Sequence, residues 1–360
     1  MQVSVGSSHR WDRELLMAAA ILAVMSAMVM ASAAATARPG LAFRHDVWIL
    51  IGVVVSIAVG LTNYRQWGEV ATIAYGLSVV ALALVLVAGT MRLGATRWLS
   101  LFGLSIQPSE VAKLTTAWLL ARYLAGQPTP LPSRVMWRSL GIVAPPALLV
   151  FLQPDLGTAS VFGAIWLGMV WVAGASRRSL TALIGGLLAL LPIGWHVLKD
   201  YQRTRLLMFL NPHADPLGAG FSIIQSTIAI GSGQLFGRGW FAGPQNRLSF
   251  LPEHHSDFIF AVIGEEWGFL GSVGVICIFG WVLMRAARIA LETSDPQGRL
   301  LATGIFSWLA YQTFVNLGMV MGVLPVVGVP LPLVSYGGSS MVTIWAALGL
   351  LQSVHRMDRQ

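Results

Sequence analysis

Long apolar runs separated by short polar segments dominate the chain. Ten such runs cover residues 15–36, 47–62, 70–90, 111–124, 140–152, 159–174, 180–197, 258–284, 300–324 and 335–353. The fourth to sixth are shorter than the roughly 17 residues that a helix needs to cross a bilayer, so we expect them to extend into flanking polar residues or to be shielded by neighbouring helices. The pattern predicts an all-α integral membrane protein of about ten transmembrane helices, forming a single polytopic domain over residues 1–360.

The start of the first run has some features of a signal peptide. Arg10 and Arg13 precede it, and it contains the small residues Ala31, Ser32 and Ala33. The run is nevertheless long enough to span a bilayer, and similar runs follow it. We therefore expect a retained first helix.

The arginines are distributed unevenly between alternate polar segments, and cytoplasmic loops of membrane proteins retain Lys and Arg. With the N-terminus inside, the inner segments hold Arg10, Arg13, Arg65, Arg122, Arg134, Arg138, Arg177, Arg178, Arg285, Arg288, Arg299, Arg356 and Arg359. The short outer loops hold only Arg38, Arg44, Arg92 and Arg97. The distribution predicts that both termini are cytoplasmic and that residues 199–256 form a large extracytoplasmic loop between helices 7 and 8.

Composition agrees with a membrane protein and excludes other classes. The chain is 56% hydrophobic and 11% charged, with a mean hydropathy of +0.70, whereas soluble domains carry about one quarter charged residues. Its net charge of +8 is spread between apolar runs, which argues against a nucleic-acid partner and favours anionic lipid. The single cysteine, Cys277, excludes an intrachain disulfide and a cysteine-based metal site.

The long segment 199–256 is unusually rich in glycine. Its glycines include Gly218, Gly220, Gly231, Gly233, Gly237, Gly239 and Gly243. They surround an apolar stretch, 221–230, which we expect to form an amphipathic or re-entrant helix. Long glycine-rich loops of this kind usually carry function.

Two polar motifs stand at predicted outer ends of helices. In the first, QPSEVAK at 107–113, Glu110 and Lys113 share one helical face, as either a functional intramembrane pair or a structural pair that neutralises itself. In the second, QPDLGT at 153–158, Asp155 is positioned to bind a cation or a hydroxyl, or to serve only as a turn or cap residue.

A third motif crowds ionisable groups where the long loop re-enters the membrane. Glu253, His254, His255 and Asp257 lie within five residues, which suits acid–base chemistry or cation binding, although the spacing matches no standard zinc pattern. If the following helix is continuous, Glu265 and Glu266 lie about 12–14 Å deeper. These two acids are expected to tie helices together.

A fourth motif, at 322–340, combines prolines and glycines that disfavour a regular helix. It predicts a rigid outer loop, with Tyr336 near the interface, that forms a lid, a pocket wall or a simple connector. The topology drawn from the arginines places Lys113, Asp155, Asp257 and this loop on one side of the membrane. The sequence therefore predicts a site at the outer leaflet.

Five segments together resemble the SEDS peptidoglycan glycosyltransferases in order and spacing. They are QPSEVAK, QPDLGT, DPLGAGFSIIQSTIAIGSG, FLPEHHSDFIFAVIGEE and PLPLVSYGGSS. The resemblance covers nearly all of the chain. The phrases GMVMGVLPVVGVPLPLVSYGG and QNRLSFLPE are similar to the elongation branch of the family rather than the division branch. Small departures are Ser256 where Thr is usual, Phe221 where Tyr is common, and His254 at a variable position.

The resemblance implies polymerisation of lipid II, an undecaprenyl-pyrophosphoryl disaccharide-pentapeptide, into glycan strands at the outer face of the cytoplasmic membrane. The essential aspartate of the family falls on Asp257, its acidic and basic pair on Glu110 and Lys113, and its QPDLGT aspartate on Asp155. A class B penicillin-binding protein and other membrane proteins of the elongation complex are the implied partners.

The chemistry of glycosyl transfer extends this assignment. Asp257 is the hypothesised base for the acceptor hydroxyl, in an inverting transfer. Departure of the pyrophosphate requires positive charge, for which the candidates are Lys113, Arg97, Arg203, Arg205, or a divalent cation (Mg²⁺ or Mn²⁺) at Asp155 or Asp257. Glu253, His255 and Tyr336 complete the candidate substrate-binding set.

Two other functions remain open from the sequence. A lipid II flippase would need polar groups along the whole membrane path, whereas the inner half offers only a sparse set: Asn63, Gln312 and Asn316. A scaffold that only docks partner proteins would have no use for the outer cluster of ionisable groups.

Overall fold

A computed structural model describes residues 11–35, 40–92, 95–101, 104–197, 200–218, 220–248 and 250–358. In the described residues the first half of the chain forms α1 (Arg13–Ala34), α2 (Leu41–Leu61), α3 (Gly68–Ala88), α4 (Pro108–Ala125), α5 (Ser133–Leu152), α6 (Leu156–Val172) and α7 (Arg177–Val197). The second half forms α8 (Asp200–Leu210), α9 (Phe221–Ser232), α10 (Pro244–Arg247), α11 (Ile259–Glu292), α12 (Pro296–Val320) and α13 (Gly338–Asp358).

Each predicted apolar run overlaps one of these helices, so the all-α membrane fold is confirmed. Among the described residues, the helices long and apolar enough to cross a membrane are Arg13–Ala34, Leu41–Leu61, Tyr64–Ala88, Ser133–Leu152 and Ile259–Glu292. The predicted number of ten spans is therefore not established by length and composition. As expected, a short run extends into polar sequence, since α5 begins seven residues before residue 140.

A small antiparallel sheet lies between α3 and α4, where no strand was predicted. Its strands are β1 (Thr90–Arg92), β2 (Ala95–Leu101) and β3 (Leu104–Ile106), in the order β1-β2-β3. The sheet is short, but it carries Arg97 towards the start of α6.

The centre of the fold is α12, which packs against α4, α6 and α11. Trp308, Gln312 and Asn316 of this helix are fully buried. Small residues permit close packing: the α-carbon of Gly304 lies against Met169 of α6 and Ala117 of α4, leaving no room for a β-carbon. Because α12 is enclosed by protein, it carries polar side chains without exposing them to lipid.

Helix α11 is interrupted at Gly268, where φ is 66° and ψ is −161°. The break lies beyond Glu265 and Glu266, which belong to the helical stretch that begins at Ile259. The loop that follows α9 pairs with the break: Arg238 N donates to Glu265 O (2.9 Å), and Phe269 N donates to Gln234 O (2.8 Å). The loop thus satisfies backbone groups that the break would leave unpaired, as a membrane interior requires.

Candidate active site

Two amide side chains on α12, Gln312 and Asn316, are four residues apart and hold the loop between α12 and α13. Asn316 Nδ2 donates to Val329 O at 2.7 Å and to Asp257 O at 2.9 Å. Gln312 Nε2 donates to Pro330 O at 2.8 Å. One face of α12 therefore fixes Asp257 relative to residues 327–330, which we call the 327–330 segment.

Asp257 lies in the turn that leads into α11 and is half-buried. Its carboxylate faces the 327–330 segment, because a β-carbon on Gly328 would lie 3.4 Å from Asp257 Oδ2. Gly328 has a φ of 73°, a conformation that favours glycine. The backbone of the segment can therefore approach the carboxylate without an intervening side chain.

Lys113 and Glu110 form a buried pair, each 1% exposed. Lys113 Nζ lies 2.9 Å from Glu110 Oε1 and 3.0 Å from Gln312 Oε1. It also lies 4.9 Å from the centre of the Trp308 ring. In this arrangement the ammonium group is inside the helix packing, and it is connected to the 327–330 segment through Gln312.

Asp155 is the N-cap residue of α6. Its Oδ1 accepts from Thr158 N (3.1 Å) and its Oδ2 accepts from Thr158 Oγ1 (3.0 Å). Arg97 Nε is 3.5 Å from Asp155 Oδ2, and an amino group of Arg97 donates to Pro154 O at 2.7 Å. Asp155 is 2% exposed whereas Arg97 is 25% exposed, so the arginine is the accessible member of the pair.

The start of α6 also borders the 327–330 segment. A β-carbon on Gly157 would lie 2.5 Å from both Val327 O and Val329 Cγ2. Since Asp257 borders the same segment, the structure brings the third-motif aspartate and the Arg97–Asp155 pair to the same end of the helix bundle. That this end of the bundle faces the outer leaflet stays a prediction.

Glu253, His255 and Tyr336 form a second layer around the Asp257 turn. His255 Nε2 is 3.8 Å from Glu253 Oε2, and Tyr336 N donates to His255 O at 2.9 Å. The rings of His255 and Tyr336 are 6.0 Å apart. Ser335 Oγ donates to Ser256 O, so two consecutive residues of the α12–α13 loop hold the turn.

The other two predicted arginines are on α8. Arg203 donates 2.9 Å hydrogen bonds to the carbonyl oxygens of Trp195 and His196, which join α8 to the end of α7. The side chain of Arg205 lies outside the described part of the chain. These two hydrogen bonds tie Arg203 to α7.

Glu265 and Glu266 tie helices together, as expected. Glu265 accepts from the backbone nitrogens of Gln245 (2.8 Å) and Asn246 (3.1 Å) at the start of α10. Glu266 accepts from Ser32 on α1 and from Asn246 Nδ2. The two glutamates therefore attach the long loop to α11 and α1.

Asp155 is poorly arranged to bind a metal, because both of its oxygens accept hydrogen bonds and one faces Arg97. Across the described ranges, no group of three His, Cys, Asp or Glu side chains is placed to hold a metal ion. Since Mg²⁺ is often held by one or two carboxylates together with substrate phosphates, a divalent cation at Asp257 stays a prediction.

Comparisons with known proteins show the family of the chain. The model of the Cell cycle protein family, FtsW/RodA/SpoVE, matches residues 12–360. Peptidoglycan glycosyltransferase MrdB of Escherichia coli strain K12 is 40% identical over 345 residues, covering 96% of this chain and 93% of the relative.

Two solved structures are similar along nearly the whole chain. One, from "Structural coordination of polymerization and crosslinking by a peptidoglycan synthase complex", has a TM-score of 0.83 at 38% identity and covers 97% of this chain and 99% of that one. Rod shape determining protein RodA of Thermus thermophilus has a TM-score of 0.73 at 32% identity and covers 97% and 98%. The resemblance to the elongation branch is thereby confirmed. The chain belongs to the FtsW/RodA/SpoVE family of cell cycle proteins.

Proposed function

We propose that this protein is a peptidoglycan glycosyltransferase that polymerises lipid II at the outer face of the cytoplasmic membrane, with Asp257 as general base. The observation that carries the proposal is the position of Asp257. Its backbone is fixed by Asn316, and its carboxylate lies beside the 327–330 segment at the end of the bundle that also holds Arg97. The enzyme names of its relatives support the same class of reaction.

The chemistry needs a base next to an acceptor hydroxyl. As the hydroxyl oxygen attacks the anomeric carbon of the donor sugar, its proton passes to the Asp257 carboxylate, and the bond to the pyrophosphate breaks with its electron pair on the leaving oxygen. In-line displacement inverts the anomeric configuration through an oxocarbenium-like transition state. Fixing Asp257 through its backbone reduces the reorganisation that this step requires.

Arg97 is the cation that we assign to the leaving pyrophosphate. It is partly exposed, and it is oriented by Asp155 and by the Pro154 carbonyl oxygen. A guanidinium group held in place can form paired hydrogen bonds to phosphate oxygens and stabilise the negative charge that develops during departure. Asp155 then acts as the residue that positions Arg97.

Lys113 and Glu110 have a different role in this proposal. Lys113 is buried against Glu110 and Gln312, so its ammonium group would have to break two hydrogen bonds to reach a phosphate. Through Gln312 the pair positions Pro330 and hence the 327–330 segment. We therefore assign the pair to support of the site.

Glu253, His255 and Tyr336 are assigned to the sugar-binding rim. They surround the Asp257 turn and combine aromatic faces with hydrogen-bonding groups. The extracytoplasmic position of residues 199–256 and the cytoplasmic termini remain part of the proposal. So does the partner, a class B penicillin-binding protein, which the synthase complex among the structural neighbours favours.

Two of the polar residues that a flippase could use for transport, Gln312 and Asn316, already have hydrogen-bond partners in the protein. Gln312 and Asn316 donate to backbone carbonyl oxygens of the α12–α13 loop, so their amides serve the outer site. A transport path for a pyrophosphate would need such groups free along the membrane interior.

The test is polymerisation of fluorescent lipid II by the purified full chain with its cognate penicillin-binding protein in a lipid bilayer. Asp257→Asn keeps the side-chain shape but removes the base, and we expect a fall of about 100-fold or more in polymer formation. Asp46→Asn, which changes an exposed carboxylate on α2, is the matched control. Polymer from the Asp257 variant at the control level would refute the base assignment. Transfer of lipid II across liposomes without any polymer would favour a flippase.

A further inference from the structure

Four exposed arginines cluster where α5 and α7 begin. This arginine surface consists of Arg134, Arg138, Arg177 and Arg178. The two helix starts are neighbours, because Ser133 Oγ and Ser179 Oγ are 2.7 Å apart. Arg134 and Arg138 are one turn apart on α5, so they lie on the same face of that helix. The surface is separate from the Asp257 site, since it lies at the opposite end of α5 from Asp155.

Acidic residues are rare in this part of the sequence. Between Glu110 and Asp200 the sequence contains one acid, Asp155, which follows the far end of α5. An α-helix rises 1.5 Å per residue, so the 20 residues of α5 separate the two ends by about 30 Å. Within the described ranges, none of the four arginines lies within ion-pair distance of a carboxylate. The part of the chain that the structure describes therefore leaves these four positive charges without a carboxylate partner.

Backbone groups add to the positive potential. The first turns of α5 and α7 meet at the Ser133–Ser179 contact, and each helix N-terminus presents unpaired N–H groups and the positive end of a helix dipole. In α7, Ser179 N donates to Ser176 Oγ at 3.2 Å. Two helix starts beside four arginines form a site suited to an anion.

The surroundings of the arginines are apolar and aromatic. Trp137 of α5 is 43% exposed and Trp171, at the end of α6, is 69% exposed. The loop before α5 and the loop after α6 are joined by a hydrogen bond from Leu131 N to Gly174 O at 3.0 Å. Tryptophan is enriched at the level of lipid headgroups, and α5 is apolar and long enough to cross the bilayer. The anion is thus expected at headgroup depth, with acyl chains against the exposed apolar side of α5 and α7.

We infer that the arginine surface binds the phosphodiester headgroup of an anionic phospholipid. The charge selects an anion, and the adjoining tryptophans and membrane-spanning helix select a lipid over a soluble phosphate. Each arginine near an anionic headgroup strengthens binding about fivefold, so the loss of two weakens it about 25- to 30-fold. Guanidinium groups can also pair with two phosphate oxygens at once.

The test measures phospholipid bound to the purified full chain by native mass spectrometry after delipidation. Phosphatidylglycerol and cardiolipin are compared with phosphatidylcholine, for wild type and for R134Q/R177Q. The control R288Q/R299Q removes the same charge from exposed arginines on α11 and α12. R134K/R177K retains the positive charge but cannot donate two parallel hydrogen bonds from one side chain to a phosphate. Thermal unfolding of each variant confirms that it is folded.

We expect wild type to retain the anionic lipids in preference to phosphatidylcholine, and R134Q/R177Q to lose about 25-fold in apparent affinity while R288Q/R299Q stays within about threefold of wild type. R134K/R177K should fall between them. Equal losses in the two glutamine variants would overturn the inference and leave the arginines as determinants of membrane orientation alone. So would equal retention of anionic and zwitterionic lipid by wild type. Competition by glycerol phosphate as effective as that by phosphatidylglycerol would assign the surface to a soluble phosphate instead.

Discussion

Asn316 donates a 2.9 Å hydrogen bond from Nδ2 to the backbone carbonyl oxygen of Asp257, a residue 59 positions earlier in the chain. The same amide donates to Val329 O at 2.7 Å. One side-chain nitrogen on α12 therefore links the backbone of Asp257 directly to the 327–330 segment.

Replacing Asn316 by Asp tests this arrangement. The new side chain has nearly the same shape, but it has no donors and places negative charge beside two carbonyl oxygens. Leaving a buried carbonyl oxygen unsatisfied costs about 1–3 kcal/mol, so we expect polymerisation to slow by about 10- to 100-fold. The effect should fall on kcat more than on KM for lipid II. Wild-type kcat in a folded Asn316→Asp protein would contradict the positioning role.

A single and a double variant can distinguish a structural role of Lys113 from a direct role in the reaction. Lys113→Met leaves Glu110 buried without its cation and should destabilise the protein by about 3–5 kcal/mol. Glu110→Gln/Lys113→Met removes both charges and should recover most of the loss in thermal unfolding. If Lys113 only supports the site, polymerisation recovers together with stability. A double variant that is as stable as wild type yet inactive would show that the ammonium group itself is required.

The close contact of α6 with the 327–330 segment gives a third prediction. A β-carbon at Gly157 would overlap Val327 O and Val329 Cγ2, so Gly157→Ala should displace the segment at a cost of about 1–3 kcal/mol and reduce polymerisation at least tenfold. Gly163 lies on the same helix, and a β-carbon there meets nothing within 4 Å. Gly163→Ala should therefore keep full activity and gain slightly in stability. Similar activity in the two variants would argue against the segment as part of the site.

The Arg97–Asp155 pair can be tested without losing the helix cap. Asn is as good an N-cap as Asp, so Asp155→Asn should keep α6 folded while removing the ion pair with Arg97. We expect about a tenfold loss of polymerisation. Asp12→Asn is the control, since Asp12 caps α1 and pairs with Arg285 at a distance from the site. Equal activity of the two variants would leave Asp155 with a capping role only.

The all-α membrane fold was predictable from the sequence, because a lipid interior enforces long apolar runs and confines charge to their ends. Asp155 and Asp257 were placed together in this way. The roles of Gln312 and Asn316 were not predictable. Their amides bind backbone carbonyl oxygens, which every residue has, so no particular partner residue can be recognised in the sequence. The burial of Lys113 was also not predictable, because its spacing from Glu110 fits both a structural and a functional pair.

The small sheet and the break in α11 were not predicted, for other reasons. The strands of the sheet are three to seven residues long, too short for alternation to be distinguished from a loop. The break at Gly268 lies within a run that was predicted to be one helix, and the backbone partners that permit it come from a separate loop.

The pairing of that loop with the break in α11 constrains how the protein can be re-engineered. Residues 234–239 and 265–270 exchange backbone hydrogen bonds, so neither stretch has a complete set of partners alone. Chimaeras between family members should therefore cross over outside both stretches and carry them from the same parent. A graft of the long loop that ends before residue 265 would combine residues 234–239 of one parent with residues 265–270 of the other, so their backbone hydrogen bonds would have to form between unmatched sequences.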